Sequence, residues 1–486
     1  MGLTSAFNNA FSGLNVSARR AELVSNNVSN AMTVGFARRE IHLSSDVLNG
    51  VGGGVRIADI SRIENSVMTS ARREAEAVAS NSTVAADFLS RVSNILGNPG
   101  EAGALAVQYV EFESSLTGAA NDPSNEILLS DAVNSAKNIA KSLNKLSTEL
   151  NDFRLEADNE IEQQVKLVNS TLSEISDLNL KIREISAAGG STNSLKDRQN
   201  LLIDKLNVVI PVKVVEKEFG RISVFTPAGG TLLDGRPTSF DFSAVPAISH
   251  AMTLANGALS DLSVNGGVVS MNTETSFFDG GTLGALFDAR DAVLPGLSEE
   301  IDGLAADLIT RFQSPTVDST LTVTDSGLFT DDGGQYLLGN EVGLAGRLSL
   351  NSAVDLEQGG QPWRLRSGLN SAAPGDVGVN STLRGYLNAF QANVTPSVGI
   401  ISANHLSGVG FASFFATSVS EKSAFFDENL SFETAKFNEL HEAELDIVGV
   451  DTDSELQSLM ELETAYAANA RVMSVLDDLL GTLLEI

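Results

Sequence analysis

The sequence predicts a mainly α chain with β insertions, an α+β architecture whose two terminal helices pair as a coiled coil. Three patterns carry that reading. Leu459, Leu462, Tyr466, Asn469, Met473, Leu476, Leu480 and Leu483 alternate spacings of three and four, which lays one apolar stripe along a helix. Leu3, Phe7, Ala10, Leu14, Ser17, Ala21, Val24 and Val28 repeat the alternation at the other end. Between them the period changes to two around Val212, Val214 and Val215, and again at Ile222-Ser223-Val224-Phe225. No later segment follows the stripe of residues 454–486, so its cover is expected from the N-terminal stripe.

The first helix is expected over residues 4–29. It ends in Ser25-Asn26-Asn27-Val28-Ser29-Asn30, whose side chains compete for backbone hydrogen bonds and suit helix ends. Residues 38–43 alternate like a strand, and 51–57, with Gly52-Gly53-Gly54, read as a turn feeding a short strand. A helix over 63–96 closes at Gly97-Asn98-Pro99-Gly100, and one over 105–117 stops near Asn121-Asp122-Pro123. From Ser124 a helix is expected to reach Ser186, roughly 90 Å at about 1.5 Å per residue. Its seam is Ile161, Val165, Val168, Leu172, Ile175, Asn179 and Ile182. Residues 195–206 form a compact amphipathic helix, a β-rich stretch reaches about 278, and helix returns over 283–313. Residues 314–412 are rich in Gly, Ser, Asp and Asn, with strand-like pieces at 321–323 and 347–350. A last helical region covers 414–444, and Gly449 separates it from the terminal helix.

Nested domains are the simplest arrangement. Residues 1–47 and 451–486 form paired terminal helices; 48–206, 283–313 and 414–450 form a rod-like helical domain. Residues 207–282 are a β-rich insertion, and 314–413 a second insertion of loops and strands.

Charge and composition exclude several classes. There are 32 Lys and Arg against 62 Asp and Glu, a net charge of −30, with no lysine between Lys217 and Lys422. Such a surface repels phosphate backbones and anionic headgroups, so no nucleic-acid or membrane partner is expected. The chain has no cysteine, which removes disulfides and thiolate chemistry. Leu3, Phe7 and Leu14 are spaced along a helix face instead of forming an apolar block, so no cleavable signal is expected.

No catalytic, cofactor-binding or metal-binding constellation rises above background. His441-Glu442-Ala443-Glu444-Leu445 begins like a zinc-protease helix but has Leu445 where the second histidine belongs. Asp451-Thr452-Asp453-Ser454-Glu455 echoes a calcium loop without its glycine and reads as a capped helix start. Ser142-Leu143-Asn144-Lys145 matches a nucleophile motif over four residues only, in mid-helix. The four histidines, 42, 250, 405 and 441, lie on different segments. Asn469 and Asn179 sit in seams, where a buried amide fixes register and partner; an amide at the seam's rim is the equal alternative.

Two stretches carry a family resemblance. Asn26, Asn27, Asn30, Thr33, Gly35 and Phe36, within residues 21–39, resemble the N-terminal signature of flagellar rod, hook and hook-associated axial proteins, with Val34 where that signature usually has proline. Glu463-Thr464-Ala465-Tyr466-Ala467-Ala468-Asn469-Ala470 is similar to its C-terminal block, with Glu463 for the usual glutamine. The blocks 195–202 and 280–291, together with the long helix, are similar to the hook-associated branch.

The resemblance implies a structural component of the extracellular bacterial flagellum, not an enzyme. It would be exported by the flagellar type III system and placed between hook and filament. It implies a homo-oligomeric ring with the terminal helices lining the central channel, and the hook protein and the next junction protein as axial neighbours. It also implies an export chaperone on the C-terminal helix and no cofactor. Leu3, Phe7, Leu14, Val24 and Val28 are expected to meet Leu459, Leu462, Tyr466, Met473, Leu476, Leu480 and Leu483, while Asn26, Asn27 and Gly35 shape the turn below the first helix. Another axial protein, hook or flagellin-like, is the nearest alternative. A wall hydrolase or an adhesin using residues 314–413 would be the alternative from another class.

Overall fold

In α1 (Leu3–Ser29) the apolar stripe and the Asn-Ser cluster set both face and end, and Asn30 caps its C-terminus. The computed structural model describes residues 2–48, 51–97, 100–271, 276–395 and 405–484; Asn98 and Pro99 of the expected helix stop lie outside them, as does the side chain of Leu483. β1 (Arg39–Leu48) and β2 (Val51–Arg62) form an antiparallel ribbon with register shifts at His42/Leu43 and Asp46/Val47. Gly52–Gly54 belong to β2 itself, so residues 51–57 are strand throughout and not a turn leading into one.

Four helices follow: α2 (Ser66–Leu96), α3 (Leu105–Asn121), α4 (Glu126–Ala187) and α5 (Asn193–Val209). α4 runs for 62 residues because its seam never breaks: Ile161, Val165, Val168, Leu172, Ile175, Asn179 and Ile182 are all buried. A four-stranded antiparallel sheet comes next in the order β3 (Lys213–Glu216), β4 (Ile222–Phe225), β5 (Thr231–Asp234) and β6 (Arg236–Pro237). A three-stranded one is built from β7 (Phe240–Asp241), β8 (Leu262–Val264) and β9 (Gly267–Val269). α6 (Gly281–Asp288) passes through a π turn at Ala289–Val293 into α7 (Leu294–Phe312). The helix expected over 283–313 is therefore interrupted.

Residues 314–412 hold more helix than their composition suggests. β10 (Phe329–Asp331) pairs with β11 (Leu348–Leu350), and between them lies α8 (Leu344–Arg347). α9 (Trp363–Ser367) and α10 (Ser381–Gln391) follow. Residues 321–323 are not a strand; Leu321 is buried from a loop. The chain ends in α11 (Gly408–Val448) and α12 (Thr452–Leu484).

By internal contacts the chain divides into two compact units, 1–79 with 167–239 and 433–486, and 80–166 with 240–432. Three of the four divisions fall inside α2, α4 and α11, and the fourth lies between β6 and β7. In the second unit, Phe112 meets Phe312, Phe329 and Phe390 at ring separations of 5.9, 5.9 and 5.1 Å. Arg290, in the π turn, is fully buried there. It donates to Asp158 (2.7 Å), to both oxygens of Asp291 (2.8 and 2.7 Å) and to the Ser260 carbonyl (3.0 Å). The wider turn leaves the Arg290 carbonyl to accept from Arg154 Nε at 3.0 Å.

Candidate assembly interface at the paired termini

Within the first unit, α1 and α12 pack side by side and antiparallel, with Gly13 against Asn469 and Asn27 against Glu455. Along α1, Ala10, Ser17 and Val24 are buried and Leu3, Leu14, Ala21 and Val28 half-buried, while Phe7 is exposed. Along α12, Leu462 and Leu476 are buried and Asn469 and Met473 half-buried. Leu459, Tyr466 and Leu480 remain 39%, 49% and 40% exposed. One partner helix cannot surround a stripe that broad, so part of it stays open in the single chain.

Below α1 the Asn cluster forms a joint. Asn27 is buried, and its amide pairs with the backbone of Arg39 as a strand would: Nδ2 donates to the Arg39 carbonyl (3.0 Å) and Oδ1 accepts from the Arg39 N–H (3.2 Å). The same Nδ2 donates to Glu455 Oε1 at 3.1 Å, in the first turn of α12. Asn30 donates to the Asn26 carbonyl (2.9 Å) and accepts from the Thr33 hydroxyl (3.3 Å), and Asn26 Oδ1 accepts from Arg39 at 3.4 Å. Gly35 is in the left-handed region (φ 79°), and a Cβ there would collide with Leu201 of α5, so the turn requires glycine. Arg39 lies over the Phe36 ring at 4.9 Å.

Residues distant in sequence brace this joint. Arg38 N–H donates to the Val448 carbonyl (2.8 Å), and Asp451 caps α12 by accepting from the Asp453 N–H (3.0 Å). Asp197 pairs with Arg39 (3.2 Å) and Arg62 (3.0 Å). Arg72 bridges Glu76, Asp204 and Glu444 at 2.7, 2.7 and 2.6 Å, and Thr69 also donates to Glu444. Burial alone would lower the Arg72 pKa; the surrounding carboxylates, Asp204 foremost, outweigh it and raise it. Glu444, from the zinc-like string, is thus held in an ion-pair network. Asn179 donates to the Ile222 carbonyl and accepts from its N–H, both at 2.9 Å, and also accepts from Gln199 of α5 at 3.1 Å, so it ties α4 to β4 and to α5. In the second unit Ser142 donates to Gln108 at 2.9 Å. Among the described residues no group of His, Asp and Glu side chains is placed to hold a metal ion, and no helix is long and apolar enough to cross a membrane.

Sequence reasoning missed Gly13, Arg39, Asp197 and Glu455. Gly13 alone carried a signal, as the one glycine inside α1, where an interior glycine implies close approach of another element.

Comparison with known proteins adds the family. The model of the flagellar hook-associated protein FlgK helical domain matches residues 89–315. The model of the flagellar basal body rod FlgEFG protein C-terminal matches residues 444–486, which include all of α12. Flagellar hook-associated protein 1 of Bacillus subtilis is 24% identical over 97% of this chain and 96% of its own length. The chain is thus similar to flagellar hook-associated protein 1, through the helical-domain model and over nearly its whole length. It is thereby a structural component of the flagellum. Hook-associated protein 1 of Escherichia coli and of Salmonella typhimurium are each 25% identical over 50% of this chain, and the match spans about half of each relative, 46% and 45%. Over 55% of this chain and 46% of the other it is also similar, at TM-score 0.42 and 20% identity, to the solved flagellar hook junction protein FlgK from Burkholderia pseudomallei.

Proposed function

We propose that this protein forms the junction between hook and filament and assembles there through its terminal helices. The observation that carries the reading is the uncovered part of the terminal pair. Met460, Tyr466, Val472, Val475, Leu479 and Leu480 of α12 lie exposed in the single chain, as do Phe7 and Phe11 of α1. Exposed apolar surface on that scale marks a contact with another molecule. Copies of the chain cover it in a ring, with the α1–α12 pair as a coiled coil lining a central channel and Leu3, Leu14, Val24, Val28, Leu462, Met473 and Leu476 as its inner contacts. Asn26, Asn27, Asn30, Thr33, Gly35 and Phe36 form the joint that aims this pair. Axial neighbours are the hook protein and the next junction protein. Before assembly the chain passes through the flagellar type III export system with a chaperone on α12, and it ends in the extracellular flagellum.

Electron microscopy of cells whose copy lacks residues 454–486, with the medium probed for free flagellin, tests this. Hooks without filaments, and flagellin lost to the medium, are expected. Normal filaments would overturn the reading, and missing hooks would move the protein to the hook or rod.

A further inference from the structure

Two contacts between α1 and α12 agree on one offset. Gly13 lies so close to Asn469 that a Cβ on residue 13 would sit 2.8 Å from Nδ2 and 3.0 Å from Cγ. Asn27, further along α1, donates to Glu455, the same number of residues back along α12. Equal steps in opposite directions mean that the pair does not slip between these points. The apolar seam does not dictate that offset, because its positions recur every heptad and a shift of seven residues matches apolar to apolar again.

Besides the Asn27–Glu455 bond at the joint, what distinguishes the offsets along the helices is Asn469. Its amide needs a residue without a side chain opposite it, and α1 contains one glycine. A heptad shift sets Asn469 level with Ala6, whose Cβ fills the space, or with Arg20. A second copy of α12 offers a glycine only at Gly481, in its last turn, and so does not provide the same seat along its body.

We propose that Gly13 and Asn469 are the specificity-determining pair of the terminal helices. Asn469 selects the N-terminal helix, in a single offset, over a slipped pairing and over α12 of another copy. The proposal rests on the reading of these helices as the assembly element, since a slip would displace the open apolar strip that a neighbouring copy meets. Its own test needs only the isolated full-length chain.

The chain has no cysteine, so an introduced pair reports alone. Ala10→Cys with Met473→Cys marks the observed offset; Ser17→Cys with Met473→Cys marks a slip of one heptad. In the otherwise native chain the first pair is expected to oxidise to a disulfide and the second not. Gly13→Ala should lower the yield of the first pair by roughly five-fold or more, as an overpacked contact does, and raise the second. Adding Asn469→Ala removes the clash and should restore the first pair. Alanine is the better helix former, so a change in helix propensity alone would strengthen the observed pairing. An unchanged first-pair yield in Gly13→Ala would overturn the proposal. So would an equal loss with and without Asn469→Ala.

Discussion

Arg290 in the second unit and α12 in the first represent opposite ways of handling side chains that water would not leave alone. Arg290 is a charge taken wholly out of water, and its own unit answers it with two carboxylates and a carbonyl. α12 presents apolar side chains that its own unit covers only in part, at Leu462 and Leu476. The first region is closed by intrachain contacts and needs nothing further. The second is left open, and the contrast directs attention for assembly to the termini and away from the inserted unit, despite the latter's greater size.

Mutations can break that comparison, beginning with the largest effect. Arg290→Ala strands Asp158 and Asp291 as buried, uncompensated charges and should cost about 3–5 kcal/mol of stability, read as a lower denaturant midpoint in the full chain. A loss near zero would mean that water already reaches the site, and the region would not be closed. Asn27→Ala removes the backbone-like pairing to Arg39 and the bond to Glu455 together, at about 1–3 kcal/mol. Hydrogen exchange should show it locally, as faster exchange of the Arg39 amide and of the first turn of α12. The smallest effect sharpens the contrast most: Val475→Ser on the open strip should change the stability of the isolated chain by no more than about 0.5 kcal/mol. The same substitution should weaken self-association in sedimentation velocity. A large loss of monomer stability would place Val475 in an intrachain core instead.

Much of the fold was legible because its signals are local. The unbroken seam of α4 and the repeats at the two ends state helix and buried face within a few turns of sequence. The short helix α10 was hidden by the Gly- and Asn-rich residues around it, although Leu383, Tyr386 and Phe390 lie at helical spacing and are buried. Asn179 was legible as a polar seam position, but its partners proved to be the backbone of β4 and the Gln199 amide of α5. Of the candidate interface, the stripe and the Asn cluster could be read from the sequence. The division of the stripe into covered and open positions could not, because it depends on how many helices surround it.

The sequence by itself determined that both ends of this chain are amphipathic helices with matching seams, that the Asn-rich segment ends the first of them, and that a turn at Gly35 follows. Periodicity and backbone preference suffice for that, since both act over a few residues. The tertiary structure decided the offset between α1 and α12, the joining of Asn27 to Arg39 and Glu455, and the enclosure of Arg290. Each depends on groups more than ten residues apart that meet only after the backbone has folded, and short-range hydrogen bonds and ion pairs leave no periodic trace in the sequence.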